Sequence, residues 1–274
     1  MGRKVAFMAD ILDKTGVVIS NRQLSDRLWI IDIKVDALGA DLMPGQFVHM
    51  LTPGMEGHIL RRPFSVFYVS EDGSVITILY QVVGFGSKHL TTVEAGMAVS
   101  LMGPIGHGWN APEGVSSALL VAGGVGAAPL FLHAQELVAS GVDVEVVMGA
   151  QSDKALVCEP KYSELLGHEP HLATDDGSRG HAGFVTDVVA GRIAEKQFDY
   201  VACCGPEPMM RIVSELTLNA GIPTYVSLEK RMACGIGACL ACVCKSKEKD
   251  AHSNVNNKRI CKDGPVFLST EVEI

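Results

Sequence analysis

Four of the chain's eight cysteines fall between Cys234 and Cys244, in the stretch ACGIGACLACVCK. Three of them, Cys234, Cys239 and Cys242, have the spacing C-x4-C-x2-C. This spacing, completed by a fourth and more distant cysteine, is one of those that hold a [2Fe–2S] cluster. The glycines between the first two cysteines suit a loop that folds tightly around sulfur, since glycine tolerates positive φ. The stretch therefore predicts an iron–sulfur site.

Two cysteines could supply the fourth ligand, Cys244 and Cys261. If the chain leaves the loop in an extended form, Cys244 faces away from Cys242, because alternate residues point to opposite sides. Cys261, which returns after a polar segment, is therefore favoured. A structural zinc site is the alternative chemistry, but zinc ribbons usually pair two C-x2-C knuckles.

Two segments early in the chain could bind a phosphate-bearing ligand. In RRPFS, residues 61–65, Arg62 offers a planar fork of donors suited to a phosphate, and Ser65 could hydrogen-bond a heterocycle. In LYQVVGFGS, residues 79–87, the glycines and the serine could present backbone N–H groups to a pyrophosphate. A plain hairpin turn explains the glycines of this second segment equally well.

A third segment, VAGGVGAAPL at residues 121–130, is a glycine-rich turn between a strand pattern and a helix pattern. Such turns bring the backbone close to a dinucleotide pyrophosphate at a helix N-terminus. The glycines do not follow the strict G-x-G-x-x-G fingerprint. The segment indicates a dinucleotide site without proving one.

Composition limits the class of protein. The 274 residues are 47% apolar and 20% charged, so the chain can bury a sizeable core. With 23 Lys and Arg against 31 Asp and Glu, the formal charge of −8 argues against nucleic acid as a partner. No export signal and no apolar run of membrane-spanning length are visible, so we expect a cytoplasmic protein. In a reducing cytosol, clustered thiols bind metal or do redox chemistry more often than they form disulfides.

The elements that must position these residues change character along the chain. Short apolar or alternating segments separated by Gly, Pro and Asp turns fill residues 16–101 and predict an all-β barrel or sandwich. Residues 103–117, rich in glycine and proline, form the best candidate linker. Beyond them strand and helix patterns alternate, which predicts a parallel sheet covered on both faces. The predicted domains are a barrel (1–110), an α/β domain (111–226) and a small cysteine-rich domain (227–274).

The order of these motifs resembles the ferredoxin reductase superfamily. RRPFS, LYQVVGFGS, VAGGVGAAPL, TDDGS, CCGPEPMM and SLEKRMACGIGACLACV follow one another, and CKDGPVF comes late. Within that superfamily the sequence is similar to the electron-transfer subunits of class 1B dihydroorotate dehydrogenase, from about residue 16 to residue 267. The resemblance implies an FAD-binding barrel, a Rossmann-like NAD-binding domain and a C-terminal [2Fe–2S] domain.

Residue roles carried over from the resemblance fall into four sets. The flavin set is Arg62, Pro63, Phe64, Ser65, Leu79, Tyr80, Gln81, Gly86 and Ser87, with Gln81 standing where the family often has Arg. The NAD turn is Gly123, Gly124 and Gly126, and Cys204 lies beside the nicotinamide as the candidate catalytic residue. The cluster ligands are Cys234, Cys239, Cys242 and Cys261. Asp175 and Asp176, at the end of a strand pattern, would repel a 2′-phosphate and favour NAD over NADP.

The resemblance further implies a function and a partner. Electrons from dihydroorotate would enter at an FMN-containing catalytic subunit, cross the cluster to FAD and reduce NAD. This reaction would serve pyrimidine biosynthesis. Two copies of each chain would form a heterotetramer. FAD suits the middle position because it exchanges single electrons with a cluster and hydride with a nicotinamide. The alternatives are a similar reductase subunit serving a hydrogenase, a transhydrogenase or another pyrimidine reductase, and a redox sensor without turnover.

Overall fold

The computed structural model describes residues 11–55, 57–249 and 254–274. The strands are β1 (Leu12–Gln23), β2 (Leu28–Lys34), β3 (Phe47–Leu51), β4 (Arg62–Ser65), β5 (Tyr68–Val69), β6 (Val75–Gln81), β7 (Ala98–Ile105), β8 (Ser117–Gly123), β9 (Asp143–Ala150), β10 (His171–Thr174), β11 (His181–Ala182), β12 (Tyr200–Cys204), β13 (Thr224–Ser227), β14 (Val243–Lys245), β15 (Asn257–Arg259) and β16 (Val266–Leu268). The helices are α1 (Phe85–Leu90), α2 (Ala127–Ala139), α3 (Glu159–Leu166), α4 (Val185–Glu195), α5 (Glu207–Asn219) and α6 (Ile260–Asp263).

The first seven strands form one antiparallel sheet in the order β4-β3-β7-β1-β2-β6-β5. The sheet curls into a half-barrel, which brings its two ends together. The rings of Phe64 on β4 and Tyr80 on β6 lie 6.0 Å apart, although four strands separate β4 from β6 in the sheet. Fully buried side chains such as Ile31, Ile78 and Leu101 fill the concave side. The predicted barrel is confirmed.

The second sheet has the order β11-β10-β9-β8-β12-β13-β16 and is parallel except for β16, which pairs antiparallel with β13. Its central strand β8 is buried on both faces. Leu120 packs in the same cluster as Phe131 of α2, whereas Leu119 packs with Val213 of α5. Burial on both faces explains the unbroken apolar run ALLVAG, since neither set of alternating side chains meets water. The predicted α/β arrangement is confirmed.

The C-terminal segment does not stay apart from the second sheet. After β13 the chain forms the cysteine-rich loop, the two-stranded sheet of β14 and β15, and the short helix α6. It then returns as β16, where Phe267 is paired with Val226 of β13. The start of the predicted third domain at residue 227 coincides with the last residue of β13.

The predicted linker at residues 103–117 is wrong in its first part. Residues 103–105 belong to β7, where Gly103 pairs with Leu12 of β1 and Ile105 with Phe47 of β3. Trp109, further along, is only 3% exposed and donates its indole N–H to the Pro129 carbonyl at 2.8 Å. This segment is therefore packed between the two sheets. None of the helices in the described ranges is long and apolar enough to cross a membrane.

Candidate cofactor sites

All nine residues of the predicted flavin set line one cleft of ≈ 410 Å³. Strand β4 supplies Arg62 to Ser65 on one side, and the end of β6 supplies Leu79 to Gln81 on the other. The curl of the half-barrel brings these two strands together, since they are far apart in the sheet order. At the base of the cleft, the Tyr80 hydroxyl donates to the Asn21 side-chain oxygen at 3.0 Å, and burial raises the pKa of Tyr80.

Arg62 and its neighbour Arg61 point to different places. Arg62 lines the cleft, and its guanidinium donates to the backbone oxygens of His58 at 3.5 Å and of Leu60. Arg61 lies outside the cleft and forms an ion pair with Asp13 at 2.9 Å. Arg61 directly precedes β4 and Arg62 is its first residue, and successive residues of an extended chain face opposite sides, which explains the difference. Arg62 is thus the arginine of this pair that can reach a phosphate in the cleft.

The turn after β6 is not a hairpin turn but leads into α1. Ser87 holds it together, because its hydroxyl accepts the N–H groups of Val83 at 2.9 Å and Gly84 at 3.1 Å. Gly86 lies against the guanidinium of Arg62, and a Cβ atom at this position would collide with it. Glycine therefore allows the turn and Arg62 to lie side by side at the rim of the cleft.

The predicted NAD turn lies at the floor of a second cleft of ≈ 770 Å³. Gly123 ends β8, and residues 124–126 form a single 3-10 turn before α2. A Cβ atom at Gly123 would lie 2.7 Å from Pro206 Cδ, and one at Gly126 would collide with the Cys204 carbonyl. The glycines therefore let the turn pack against the end of β12. The N-terminus of α2 opens at this turn, and its partial positive charge favours a pyrophosphate.

Cys204 lies in the wall of the NAD cleft, at the end of β12. It is 2% exposed, and its sulfur lies 4.0 Å from the Ser227 carbonyl oxygen. Burial raises the pKa of its thiol far above the usual range, and the carboxylate of Glu229 and the neighbouring Cys203 add to the effect. Cys204 is therefore a neutral thiol at physiological pH, suited to packing against a ring and not to nucleophilic attack.

The two aspartates predicted to favour NAD over NADP have different surroundings. Asp175 follows β10 and lines the NAD cleft. Asp176 instead accepts two hydrogen bonds from Ser178 in its own turn, from N–H at 3.0 Å and from the hydroxyl at 2.6 Å. These bonds lower the pKa of Asp176. Of the two carboxylates, Asp175 is placed to meet a ligand.

The four predicted cluster cysteines form two pairs. The sulfurs of Cys242 and Cys261 lie 3.3 Å apart, and the Cys261 N–H points to the Cys242 sulfur at 3.5 Å. In the other pair the N–H of Cys239 donates to the Cys234 sulfur at 3.4 Å. Across the described ranges, no three Cys, His, Asp or Glu side chains converge as they would around a single metal ion. The N–H of Gly237, between Cys234 and Cys239, donates to the Cys261 sulfur, so the two pairs lie around one loop.

Backbone N–H groups surround the sulfurs. Burial alone would raise the pKa of Cys234, but hydrogen bonds from the N–H groups of Ile236, Cys239 and Ala238 and from the Cys239 side chain outweigh it and lower the pKa to about 6. Cys261 accepts the Gly237 N–H at 3.1 Å, yet burial and its contact with Cys242 raise its pKa to about 12. Such N–H groups stabilise the negative charge of bound thiolates. The donor set fits a [2Fe–2S] cluster.

Cys244 lies apart from these pairs. It occupies the middle of β14, opposite Lys258 on β15, and is 4% exposed. Burial raises the pKa of its thiol. Successive residues of an extended chain face opposite sides. Here both Cys242 and Cys244 are buried, so neither side chain faces solvent. Cys242 directly precedes β14, and its carbonyl oxygen accepts the Ile260 N–H at 3.1 Å.

The two clefts and the cysteine loop are contiguous. Gln81, Val125 and Glu229 line both clefts. The flavin cleft is also lined by Met232 and Pro265, from the segments on either side of the cysteines. A ligand in the flavin cleft would therefore lie between a ligand in the NAD cleft and the cysteine loop.

Sequence reasoning missed several residues of this junction. Phe47 of β3 and the segment 227–230 line the flavin cleft. Glu229 reaches solvent in the cleft, yet partial desolvation by the surrounding walls raises the pKa of its carboxyl. The signal that could have found it is its place directly after the apolar strand IPTYVSL, because the ends of parallel strands meet at ligand sites.

Comparisons with known folds agree with this arrangement. The chain is similar, with a TM-score of 0.83 and 27% identity over 94% of its length and 89% of the other chain, to an NADH-dependent reduced ferredoxin-NADP oxidoreductase described in connection with flavin-based electron bifurcation. A ferredoxin reductase in carbazole 1,9a-dioxygenase, 20% identical, gives a TM-score of 0.68 over 79% of this chain and 68% of that chain and shares the fold. The cofactors of this chain are FAD, a [2Fe–2S] cluster and NAD as co-substrate.

Family models and individual relatives identify the family. Residues 229–273 match the iron–sulfur cluster binding domain of dihydroorotate dehydrogenase B, and residues 120–215 match the oxidoreductase NAD-binding domain. The dihydroorotate dehydrogenase B (NAD(+)) electron transfer subunit of Bacillus caldolyticus is 40% identical over 93% of this chain and 96% of that protein. The subunit of the same name from Fusobacterium nucleatum is 37% identical over 94% of this chain and 97% of that protein. The chain thus belongs to the family of dihydroorotate dehydrogenase B electron transfer subunits.

Proposed function

We propose that this chain carries electrons from a catalytic partner subunit to NAD, with the cluster and the flavin in series between them. One observation carries the proposal: Gln81, Val125 and Glu229 line both clefts, and segments flanking the cysteines line the flavin cleft. FAD, when bound, supplies the conversion between single electrons and hydride. The chain's own residues bind and orient the groups.

In the flavin cleft we assign the phosphate contact to Arg62 and the turn of Gly86 and Ser87. Arg62 offers charged donors at the rim, which suits a pyrophosphate. Pro63, Phe64, Ser65, Leu79, Tyr80 and Gln81 form the two walls and would enclose the isoalloxazine. An apolar cleft with a few polar groups is the usual setting for a cofactor.

In the NAD cleft we assign the pyrophosphate to Gly123, Gly124 and Gly126. The neutral thiol of Cys204 would pack beside the nicotinamide, where it helps to fix the ring against the flavin. Asp175 would accept a hydrogen bond from a ribose hydroxyl and repel a 2′-phosphate. We therefore propose a preference for NAD over NADP.

At the cluster we assign Cys234, Cys239, Cys242 and Cys261 as ligands and leave Cys244 out. The contact between the sulfurs of Cys242 and Cys261 and the hydrogen bond from the Cys239 N–H to the Cys234 sulfur support this choice. Cys239 is exposed, whereas Cys242 and Cys261 are buried. The exposed side of the loop is therefore the natural point of approach for a partner's redox centre.

The partner we propose is an FMN-containing dihydroorotate dehydrogenase catalytic subunit, with two copies of each chain in a cytoplasmic heterotetramer. The relatives' name, electron transfer subunit, supports the existence of such a partner. We further propose functional divisions at 1–110 for FAD, 111–226 for NAD and 227–274 for the cluster. The limits of the two matched family models lie within the second and third of these ranges.

The experiment compares two reactions in the anaerobically purified chain. With NADH it should reduce an artificial dye, whereas dihydroorotate should stay untouched, because oxidation of that substrate belongs to the partner. Adding the cognate catalytic subunit should give NAD-linked orotate formation. The variant Cys239→Ser should block this coupled reaction and spare much of the NADH-to-dye activity. The proposal fails if the isolated chain oxidises dihydroorotate or if the variant complex couples normally.

A further inference from the structure

His49 is a buried imidazole on β3 whose ring nitrogens are unsatisfied among the residues that the structure describes. Its exposed fraction is 0%, and neither ring nitrogen has a partner within the described part of the chain. A neutral imidazole carries one N–H donor and one acceptor, so one of each is unsatisfied here. Buried polar groups are nearly always paired, and each exception calls for an explanation such as a redox role or an unseen ligand. A structural histidine that merely fills the core would normally donate to a backbone carbonyl.

The position of His49 links the flavin strand to the cysteine loop. It lies on β3, directly opposite Pro63 of β4, and its ring centroid is 5.9 Å from that of Phe47, which lines the flavin cleft. On its other side lies Gly235, the residue that follows Cys234. The half-barrel therefore presents this side chain to the cysteine loop.

The contact with Gly235 shows which part of the ring faces the loop. A Cβ atom on Gly235 would lie 2.7 Å from Nδ1 and 2.8 Å from Cε1 of His49. Gly235 has φ +71°, which favours glycine in any case. The missing side chain thus lets the Nδ1 edge of the imidazole come up against the loop backbone beside Cys234. A cluster held by this loop would offer thiolate and sulfide sulfurs as hydrogen-bond acceptors.

We infer that His49 is a positioning residue of the iron–sulfur site, whose imidazole N–H donates a hydrogen bond to a sulfur atom beside Gly235 and raises the reduction potential of the cluster. The inference rests on the proposed function, since it needs the cluster in this loop. Hydrogen bonds to the sulfurs are among the factors that set the potentials of such clusters. A donor at this place stabilises the reduced cluster, which carries more negative charge.

The first test looks for a direct magnetic coupling between a histidine nitrogen and the cluster. The chain is produced with ¹⁵N-labelled histidine, reduced with dithionite, and its cluster is studied by pulsed electron paramagnetic resonance. We expect a ¹⁵N coupling to the electron spin that disappears in His49→Asn and persists in His168→Asn, because His168 is an exposed residue after α3. A normal cluster signal without ¹⁵N coupling would overturn the inference and leave the proposed function intact. Absence of any cluster signal would overturn both.

The second test separates hydrogen bonding from packing by measuring the midpoint potential of the cluster. His49→Leu removes the donor, whereas His49→Asn keeps an N–H near the position of Nδ1. We expect His49→Leu to lower the equilibrium constant for one-electron reduction about tenfold, which corresponds to about 59 mV. His49→Asn should stay much closer to the wild type. Equal potentials in all three proteins, or equal shifts in both variants, would contradict the inference. If His49→Leu loses its iron, the ¹⁵N coupling of the wild type decides alone.

Discussion

Replacing Arg62 by alanine tests the flavin site most simply. A hydrogen bond to a charged group is worth about 1.5–3 kcal/mol. Arg62 is partly exposed and already donates to the backbone oxygens of His58 and Leu60, so only part of its capacity remains for a phosphate. We therefore expect the lower end, about 1.5–2 kcal/mol, which corresponds to about 10- to 30-fold weaker FAD binding. Titration of the FAD-free protein with FAD, followed by quenching of flavin fluorescence, measures the dissociation constant.

Arg61→Ala is the matched control for this experiment. Arg61 has the same charge and the preceding position, but its guanidinium pairs with Asp13 outside the cleft. Its removal should leave FAD affinity nearly unchanged, because Arg61 does not line the cleft. Equal losses in both variants would mean that general charge, and not a placed contact, holds the flavin. An unchanged affinity in Arg62→Ala would refute the assignment.

Three further predictions address the other sites. Cys261→Ser should lose most of the iron while Cys244→Ser keeps it, because only Cys261 pairs with another predicted ligand. Iron content and visible absorption measure the result. The reverse outcome would make Cys244 the fourth ligand. Asp175→Ser should lower the ratio of kcat/KM for NADH over NADPH by at least about tenfold, the scale of one charge-assisted hydrogen bond. Asp176→Ser should leave this ratio unchanged, because the Asp176 carboxylate accepts hydrogen bonds within its own turn. Equal effects would contradict the placement of Asp175 in the NAD cleft. Gly126→Ala should reduce kcat/KM for NADH-dependent dye reduction about tenfold or more, because the new methyl group would collide with the backbone at the end of β12 and overpacking costs about 1–3 kcal/mol. Normal kinetics would refute the close packing of the NAD turn against β12.

Local patterns predicted much of the fold. The alternation of strand and helix patterns indicated a parallel sheet covered on both faces, and the structure places helices on each side of β8. The cysteine spacing led to the loop whose sulfurs lie in pairs. These features depend on residues that are near one another in the chain, so periodicity and spacing report them directly.

Other features depend on contacts between distant segments, which no local pattern contains. The segment 103–117 looked like a linker because its glycines and prolines break any period, yet β1 and β3 pair with its first residues. Glu229 joins the two clefts only because β13 ends where the half-barrel meets the second sheet. The burial of His49 follows from the loop around Gly235 closing over β3.

The serial arrangement of NADH, FAD and cluster is tested most simply by asking whether NADH can reduce the cluster without FAD. Wild-type chain and an FAD-depleted preparation that retains its iron are mixed anaerobically with NADH and frozen at intervals, and the signal of the reduced cluster is recorded by electron paramagnetic resonance. If electrons from NADH pass through FAD to the cluster, the signal develops in the wild type, is absent from the depleted protein and returns when FAD is added back. A cluster that is reduced at the same rate with and without FAD would contradict the serial arrangement of the two sites.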